Sequence, residues 1–242
     1  MRINARIIIL VLIISSLVAF SQNDQNMLLG IRAGINMGTP YSKPEKGAKG
    51  AIGIGPRIGF FLRLRVNDKF DFQGEAIYSV KGGTYTTPVD GDTIYEQIVV
   101  GDTIPIPTFY SGIVRGKFDN RYIDFPFQAR YHLGKRFNLM FGPQISYLLK
   151  GGNSGTADID IGLNYSHVSN EPFDTSDKIN KWDYSFLFGT NYQTYGGLNA
   201  DVGLSFGLRS IFRSDYDLID NTVRNIYLQC SLGYCFGRHH RQ

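Results

Sequence analysis

The stretch RYIDFPFQARYHLGKRFNLMFGPQISYLL, residues 121 to 149, is two runs of alternating polarity with very little between them. In the first run Ile123, Phe125, Phe127, Ala129 and Tyr131 share one face, and Asp124, Gln128, Arg130 and His132 the other. In the second, Phe137, Leu139, Phe141, Ile145 and Tyr147 stand against Asn138, Gln144 and Ser146. A period of two is the mark of a strand, so the stretch reads as a long antiparallel hairpin. Each run is roughly 10 to 13 residues, about twice the usual soluble strand and close to the ~10 that cross a bilayer as a tilted strand. Crossing a membrane would set the apolar face against lipid and the polar face in a barrel interior. A soluble sandwich with one wet face is the competing reading, and the rest of the chain decides between them.

The chain opens with Arg2 and Arg6, an apolar run from Ile7 to Ile14, and small residues at Ala19 and Ser21. That order, basic then apolar then small, is that of a secretory signal peptide, so residues 1–21 are set apart with cleavage expected between Ser21 and Gln22. This leaves 22–242 as one domain. No later stretch reaches about 18 consecutive apolar residues, so any membrane span has to be made of strands. Glycine at 28 of 242 residues, aromatics at 14% and a hydrophobic fraction of only 43% suit alternating strands better than helices buried all round. Cys230 and Cys235 lie five apart on an expected strand, on opposite faces and roughly 16 Å apart by strand rise, too far to bridge. Free, buried thiols are expected.

Taken in order, alternation marks eight strands. They centre on Leu29–Met37, Ile52–Val66, Phe70–Val80, the two runs quoted above, Tyr184–Tyr192, Leu198–Leu208 and Ile226–Phe236. Their connections alternate strictly between tight and long. Tight ones fall at Asn67-Asp68-Lys69, around Gly134 and around Gly196; long ones at 38–51, 82–120, 151–181 and 212–221. A sandwich has no reason for this pattern, whereas an outer-membrane barrel has short periplasmic turns and long external loops. The expected fold is therefore all-β, an eight-stranded antiparallel up-and-down transmembrane β-barrel.

The tight turns also fix which residues meet. If the lipid face is continuous, Val66 opposes Phe70, Asn67 to Lys69 form a three-residue hairpin loop, and Arg65 falls opposite Asp71 as an expected ion pair. The inner face then holds Arg32, Arg57, Arg63, Arg65, Arg130 and Arg209 against Asp71, Glu75, Asp124, Asp183 and Asp201. Unpaired charge away from water is costly, so a hydrogen-bonded network filling a narrow lumen is expected rather than an open pore. Outward aromatics gather near the strand ends: Phe70, Tyr131, Phe137, Tyr192 and Phe236 on the tight-turn side, Tyr78, Tyr147, Trp182 and Tyr184 on the other. They read as two interfacial girdles.

The segments FDFQGEAIYSVKG (70–82), YIDFPFQARYHLG (122–134), FNLMFGPQISYLL (137–149) and IYLQCSLGYCFG (226–237) resemble those of the PorT-type outer-membrane β-barrel proteins of Gram-negative bacteria. The resemblance covers nearly all of the mature chain outside the loops. It implies export to the outer membrane, and a structural or interaction role or a place as an accessory of type IX secretion and gliding. It supplies no catalytic motif. Phe236 is similar to the aromatic end signal read by the barrel-assembly machinery, with Gly237 to Gln242 extending past it.

Several residue groups invite other chemistry. His132 and Ser146 on neighbouring inward faces could serve a barrel hydrolase or lipid-modifying enzyme if they met, but they sit near opposite ends, so both read as lumen packing. His239 and His240 lack a closed ligand set for a metal and read as a solvated tail. GIGIGPRIG around Gly53 superficially matches a phosphate loop, yet it lies inside an alternating strand with no helix after it. Its glycines read as relief of crowding. Asp158, Asp160, Asp174 and Asp177 match no calcium-loop spacing and read as an acidic external loop. No catalytic residue, cofactor or metal site is assigned.

The long loops carry the remaining signal. Gly91-Asp92-Thr93-Ile94 recurs as Gly101-Asp102-Thr103-Ile104, with Ile94, Glu96, Ile98 and Val100 alternating, which predicts a hairpin extending its strands above the membrane. Residues 82–120 and 151–181 each carry five acids and two bases in a chain of net charge +4. Acidic tips over a basic lumen exclude nucleic acid as a partner. The expected partners are outer-membrane lipid, the barrel-assembly machinery during biogenesis, and cell-surface or secretion-system proteins met through the loops. A small-ligand-binding barrel is the alternative from another class.

Overall fold

A computed structural model describes residues 26–41, 49–100, 102–161, 166–214 and 223–236, without the side chains of 89–110, 159, 161, 166 and 168. The leader 1–21 and the C-terminal extension 237–242, with His239 and His240, lie outside the described residues. Among the described residues ten strands form one antiparallel sheet. They are β1 (Met27–Tyr41), β2 (Lys49–Arg65), β3 (Phe70–Val100), β4 (Asp102–His132), β5 (Phe137–Lys150), β6 (Asn153–Ile161), β7 (Ser166–Asp174), β8 (Trp182–Gln193), β9 (Leu198–Gly207) and β10 (Arg224–Phe236). Among the described residues a single 3-10 turn, Ser176–Lys178, precedes β8.

Eight of the strands follow one another through ladders that return to their start. β1 pairs with β2, β2 with β3, β3 with β4 and β4 with β5. β5 then pairs with β8, β8 with β9, β9 with β10, and β10 with β1. The other two strands, β6 and β7, pair with each other, and β6 runs along the upper part of β4 from Tyr110↔Ile161 to Phe118↔Asn153.

The described residues hold ten strands where eight were expected, because stretches read as loops are strand. β3 and β4 continue through 82–100 and 102–120 as one ribbon, with Ile98 opposite Ile104 and Val100 opposite Asp102. Residues 151–181 hold the β6–β7 hairpin. The 38–51 connection narrows, since β1 reaches Tyr41 and β2 starts at Lys49. Pairing satisfies the backbone N–H and C=O groups that a long open loop would leave to water. In 212–221, Phe212 bridges Ile179, and residues 215–222 lie outside the described residues.

The short turns form as the alternation requires. Val66 N donates to Phe70 O at 3.1 Å, and the Asn67 carboxamide oxygen accepts from the backbone N–H of Lys69 and Phe70, both at 2.9 Å. In β2 the ladder to β3 shifts between Ile52 and Arg57, and Pro56, which has no N–H to give, sits in that irregularity. A Cβ placed at Gly55 would stand 2.3 Å from the Val80 carbonyl oxygen, so the GIGIGP run is glycine-rich because strands approach closely there. It has no phosphate-loop geometry.

Polarity runs opposite to that of a soluble protein. Asp124 and Arg130 of β4 are fully buried, while Phe127 on the other face of β4 and Phe72 on the neighbouring β3 are more than half exposed. The same pattern holds in β8, β9 and β10. Three assignments are corrected. Arg209 lies past the end of β9, exposed, with Nη2 3.4 Å from the Asn180 oxygen. Cys230 is partly exposed on the outer face while Cys235 is buried on the inner one, both free. Arg65 does fall opposite Asp71 in register but makes no ion pair with it, turning instead to Asp68 at 3.1 Å at the turn.

Candidate functional site: the buried polar network and the sheet built by the long connections

Alternating strands deliver one polar side chain every second residue to a shared interior, and there the side chains find each other across the ring. Near the short turns, Arg32 of β1 contacts Glu75 of β3 at 2.7 Å and Asp201 of β9 at 2.6 Å. Arg63 of β2 donates to Gln73 (2.9 Å) and to Gln193 of β8 (2.7 Å). Arg130 of β4 donates to Gln73 at 2.6 Å and lies 3.6 Å from Asp201. Gln73 and Gln128 both donate to Glu75. Arg32 and Arg63 also lie over the buried Phe61 ring, at 4.9 and 5.5 Å. Contacts that reach from β1 to β9 and from β2 to β8 mean that side chains span the interior.

Further up, Lys81 pairs with Asp124 at 2.9 Å, donates to Ser146 at 3.2 Å, and lies 4.6 Å over the Tyr122 ring. Asn225 donates to Asp183 at 2.7 Å. Among the described residues, the fully buried cations are Arg32, Arg57, Arg63, Lys81 and Arg130, and the buried carboxylates are Asp71, Glu75, Asp124, Asp183 and Asp201. The two sets are equal in number, so the formal charges of these groups balance. Lys81 was not among the interior charges expected from the sequence, although its even spacing from Asp71 and Glu75 puts it on their face. The sequence also missed Phe61, Tyr122 and Tyr227, because an inward aromatic inside a run such as Phe60-Phe61-Leu62 breaks no visible alternation.

His132 and Ser146 do not meet. His132 Nε2 stands 3.0 Å from Asp71, and its Nδ1 contacts the Asn138 oxygen. Asn138 and Ser146 share β5 eight residues apart, roughly 26 Å by strand rise. A chain of amides continues from there, Asn138 to Asn191 at 2.7 Å and Asn191 to Asp201 at 2.6 Å. Both residues therefore serve the network, with no nucleophile–base pair between them.

At the long-connection end the interior closes over an apolar cluster. Phe118, Ile179, Ile211, Phe212 and Val223 pack together, with Tyr85 and Leu148 against them. Backbone bonds tie the connections into it: Asn180 N to Ile211 O (2.7 Å), Ile211 N to Val223 O (2.8 Å) and Leu148 N to Lys181 O (2.7 Å). Asn153 N donates to Ser176 Oγ, and the Tyr227 hydroxyl donates to Gly82 O. Above this seal stand the β3–β4 ribbon and the β6–β7 hairpin.

The four acids considered for calcium are held apart by their own partners. Asp158 takes Arg115 of β4, Ser169 and the Asn170 backbone N–H; Asp160 takes His167; Asp174 takes Ser176; Asp177 takes Lys178. The Asn170 N–H, ahead of the Arg115 guanidinium, holds the Asp158 carboxyl below the usual carboxylate range. Among the described residues no three potential ligands gather into a metal site.

The aromatic girdles are in place as contacts on the outside of the ring. Phe70 meets Tyr131 (5.1 Å between centroids) and Phe137 meets Tyr192 (4.9 Å) beside the short turns. Tyr147 meets Trp182 (4.9 Å) at the other end.

The family model described as "Outer membrane protein beta-barrel domain" matches residues 20–213. Comparison with curated proteins gives no match. Among solved structures the chain is similar to Ail, the attachment invasion locus protein of Yersinia pestis, in complex with the heparin analogue sucrose octasulfate. Identity is 11%, covering 88% of this chain and 100% of that one, with a TM-score of 0.39. It is also similar to the outer membrane protein OprG from Pseudomonas aeruginosa, at 13% identity over 88% and 96% of the two chains, TM-score 0.37.

Proposed function

The chain belongs to the outer membrane protein beta-barrel domain family, and we propose that it is an integral barrel with a filled lumen that acts as a structural or interaction protein through the sheet its long connections build. In this reading β1 to β5 and β8 to β10 close as eight spanning strands, and residues 1–21 are the signal removed on export. The observation that carries it is the inverted polarity: charged, mutually bonded side chains inside and phenylalanine, leucine and isoleucine outside. Such a face in water would be a large exposed apolar patch; against acyl chains it is in its own solvent.

The side-chain-spanned interior and the apolar seal above it support a non-conducting role, and the separation of His132 from Ser146 supports a non-enzymatic one. What remains to make contacts is the outer ribbon and hairpin. Their excess of acids over bases favours a partner with a basic surface. The resemblance of 70–82, 122–134, 137–149 and 226–237 to PorT-type proteins supports a second reading, an accessory of type IX secretion in a Gram-negative envelope.

The test is co-purification from the native outer membrane, with the whole chain and with residues 93–109 replaced by a short glycine-rich turn. That cut leaves the β4–β6 ladder from Tyr110 to Phe118 in place. The shortened chain should still migrate differently on SDS gels with and without boiling, and should lose its partner. Recovery of type IX subunits with the whole chain would favour the second reading. Recovery of the protein in the soluble periplasm would end both.

A further inference from the structure

The three short turns lie side by side at one end, yet they are not chemically equivalent. In the β2–β3 turn Asp68 neutralises Arg65. The β8–β9 turn, Thr194 to Gly197, carries no charge. The β4–β5 turn, Leu133-Gly134-Lys135-Arg136, carries two cations and no acid, and among the described residues no carboxylate lies within ion-pair distance of Arg136.

That turn is also built, not loose. Arg136 O accepts from Gln193 N at 2.8 Å, and Leu133 N donates to Phe137 O at 3.0 Å, which pins the turn to β8. The Arg136 guanidinium lies 4.7 Å over the Tyr195 ring and donates to the Tyr192 hydroxyl at 3.0 Å. Together Leu133, Lys135, Arg136, Phe137, Tyr192 and Tyr195 line a shallow concavity. Its apolar members, Leu133, Phe137 and Tyr195, are each more than half exposed, and they continue into the outer apolar face of the ring.

We propose that this concavity binds the phosphate headgroup of an anionic phospholipid in the leaflet on the short-turn side. The proposal rests on the membrane-spanning reading above, because only that reading brings the concavity to headgroup depth, where tyrosines beside an apolar band are at home. Arg136 has five N–H donors in a planar fork; the tyrosines fix its plane and leave donors for a phosphate, which a guanidinium grips with two parallel bonds. Lys135 adds a second positive charge one residue away. Leu133 and Phe137 stand where the first acyl carbons of a lipid so held would run. A soluble phosphate could use the two cations but not these apolar residues, so the geometry favours the lipid.

The experiment is native mass spectrometry of the refolded chain released from detergent, titrated with phosphatidylglycerol, phosphatidylcholine or glycerol phosphate. The unmodified chain should retain phosphatidylglycerol in preference to the other two. Lys135→Gln with Arg136→Gln should weaken that retention about tenfold or more, since both positive charges facing the phosphate are lost. Lys69→Gln, on the neighbouring β2–β3 turn, should leave it unchanged. Arg136→Lys should fall between, having charge without the fork. Equal retention by the double variant, equal loss in Lys69→Gln, or glycerol phosphate held as well as the lipid would overturn the proposal. Heat-modifiable migration is read on every variant, so a chain that inserts but shows no lipid preference refutes this site alone. A chain that never becomes heat-modifiable refutes the membrane reading beneath it as well.

Discussion

The ring interior and the cluster beneath the long connections are both fully buried, but they are made of opposite materials. Inside the ring Arg32, Arg130, Glu75 and Asp201 are excluded from solvent as ions, while under the connections Phe118, Ile179, Ile211 and Phe212 pack as in any soluble core. The difference follows from what lies outside each. The ring spends its apolar residues outward, so its inward positions must be polar and mutually satisfied. The outer sheet has water around it, so apolar residues turn inward there. One chain thus follows two burial rules, and the switch falls near Gly82 and Phe118.

The strongest way to break this contrast is to shift a face. Deleting one residue from Asn67-Asp68-Lys69 would turn the polar face of a neighbouring strand outward; a charge at mid-membrane costs about 2 to 4 kcal/mol each, and several would be turned out at once. Loss of heat-modifiable folding in vesicles is the expected result. Normal insertion would refute the register.

Next in size is Asp201→Ala, which leaves Arg32 and Arg130 without their shared carboxylate. Breaking a buried ion pair from one side costs about 3 to 5 kcal/mol, to be read as a lower urea midpoint for the vesicle-bound chain. A smaller, local effect is expected from Ile211→Val in the apolar cluster, about 1 kcal/mol, seen as faster hydrogen exchange at Ile211 and Asn180 with ring amides unchanged. If Ile211→Val weakens the ring equally, the two regions are one cooperative unit.

Smaller still is the coupling of Arg65 to Asp71. Register sets them opposite, but Arg65 bonds Asp68 and Asp71 contacts His132. A double-mutant cycle should give an interaction near zero, within the roughly 0 to 1 kcal/mol of exposed pairs.

The slightest is a pH effect at Asp158. Its folded carboxyl titrates below its ordinary range, first through the Asn170 N–H, so its hold on the β6–β7 hairpin is complete above that range. It is lost as pH falls through the folded value. The Asn170 amide signal should move only at pH below the ordinary aspartate range in the unmodified chain and be flat in Asp158→Asn.

Strand identity, facing and the tight turns were legible in the sequence because alternation is local: each residue's side follows from its neighbours two away. Ile123 to Tyr131 and Asp124 to His132 fall on the faces their spacing gave them, and the Asn67 turn closes on Phe70 as its length requires. The Gly91 to Ile104 repeat likewise announced the ribbon that β3 and β4 form. The interior was legible as a list of charges but not as a set of bonds. Which carboxylate Arg32 takes depends on β9 lying two strands away around the ring, and no spacing along the chain encodes that. For the same reason Arg65, free at an end, went to the nearest acid in the turn rather than the one across the ladder. The apolar seal was invisible because Phe118, Ile179, Ile211 and Val223 are isolated residues in connections without a period. Only the pairing of β6 with β4 and the bridge from Ile179 to Phe212 brings them to one place.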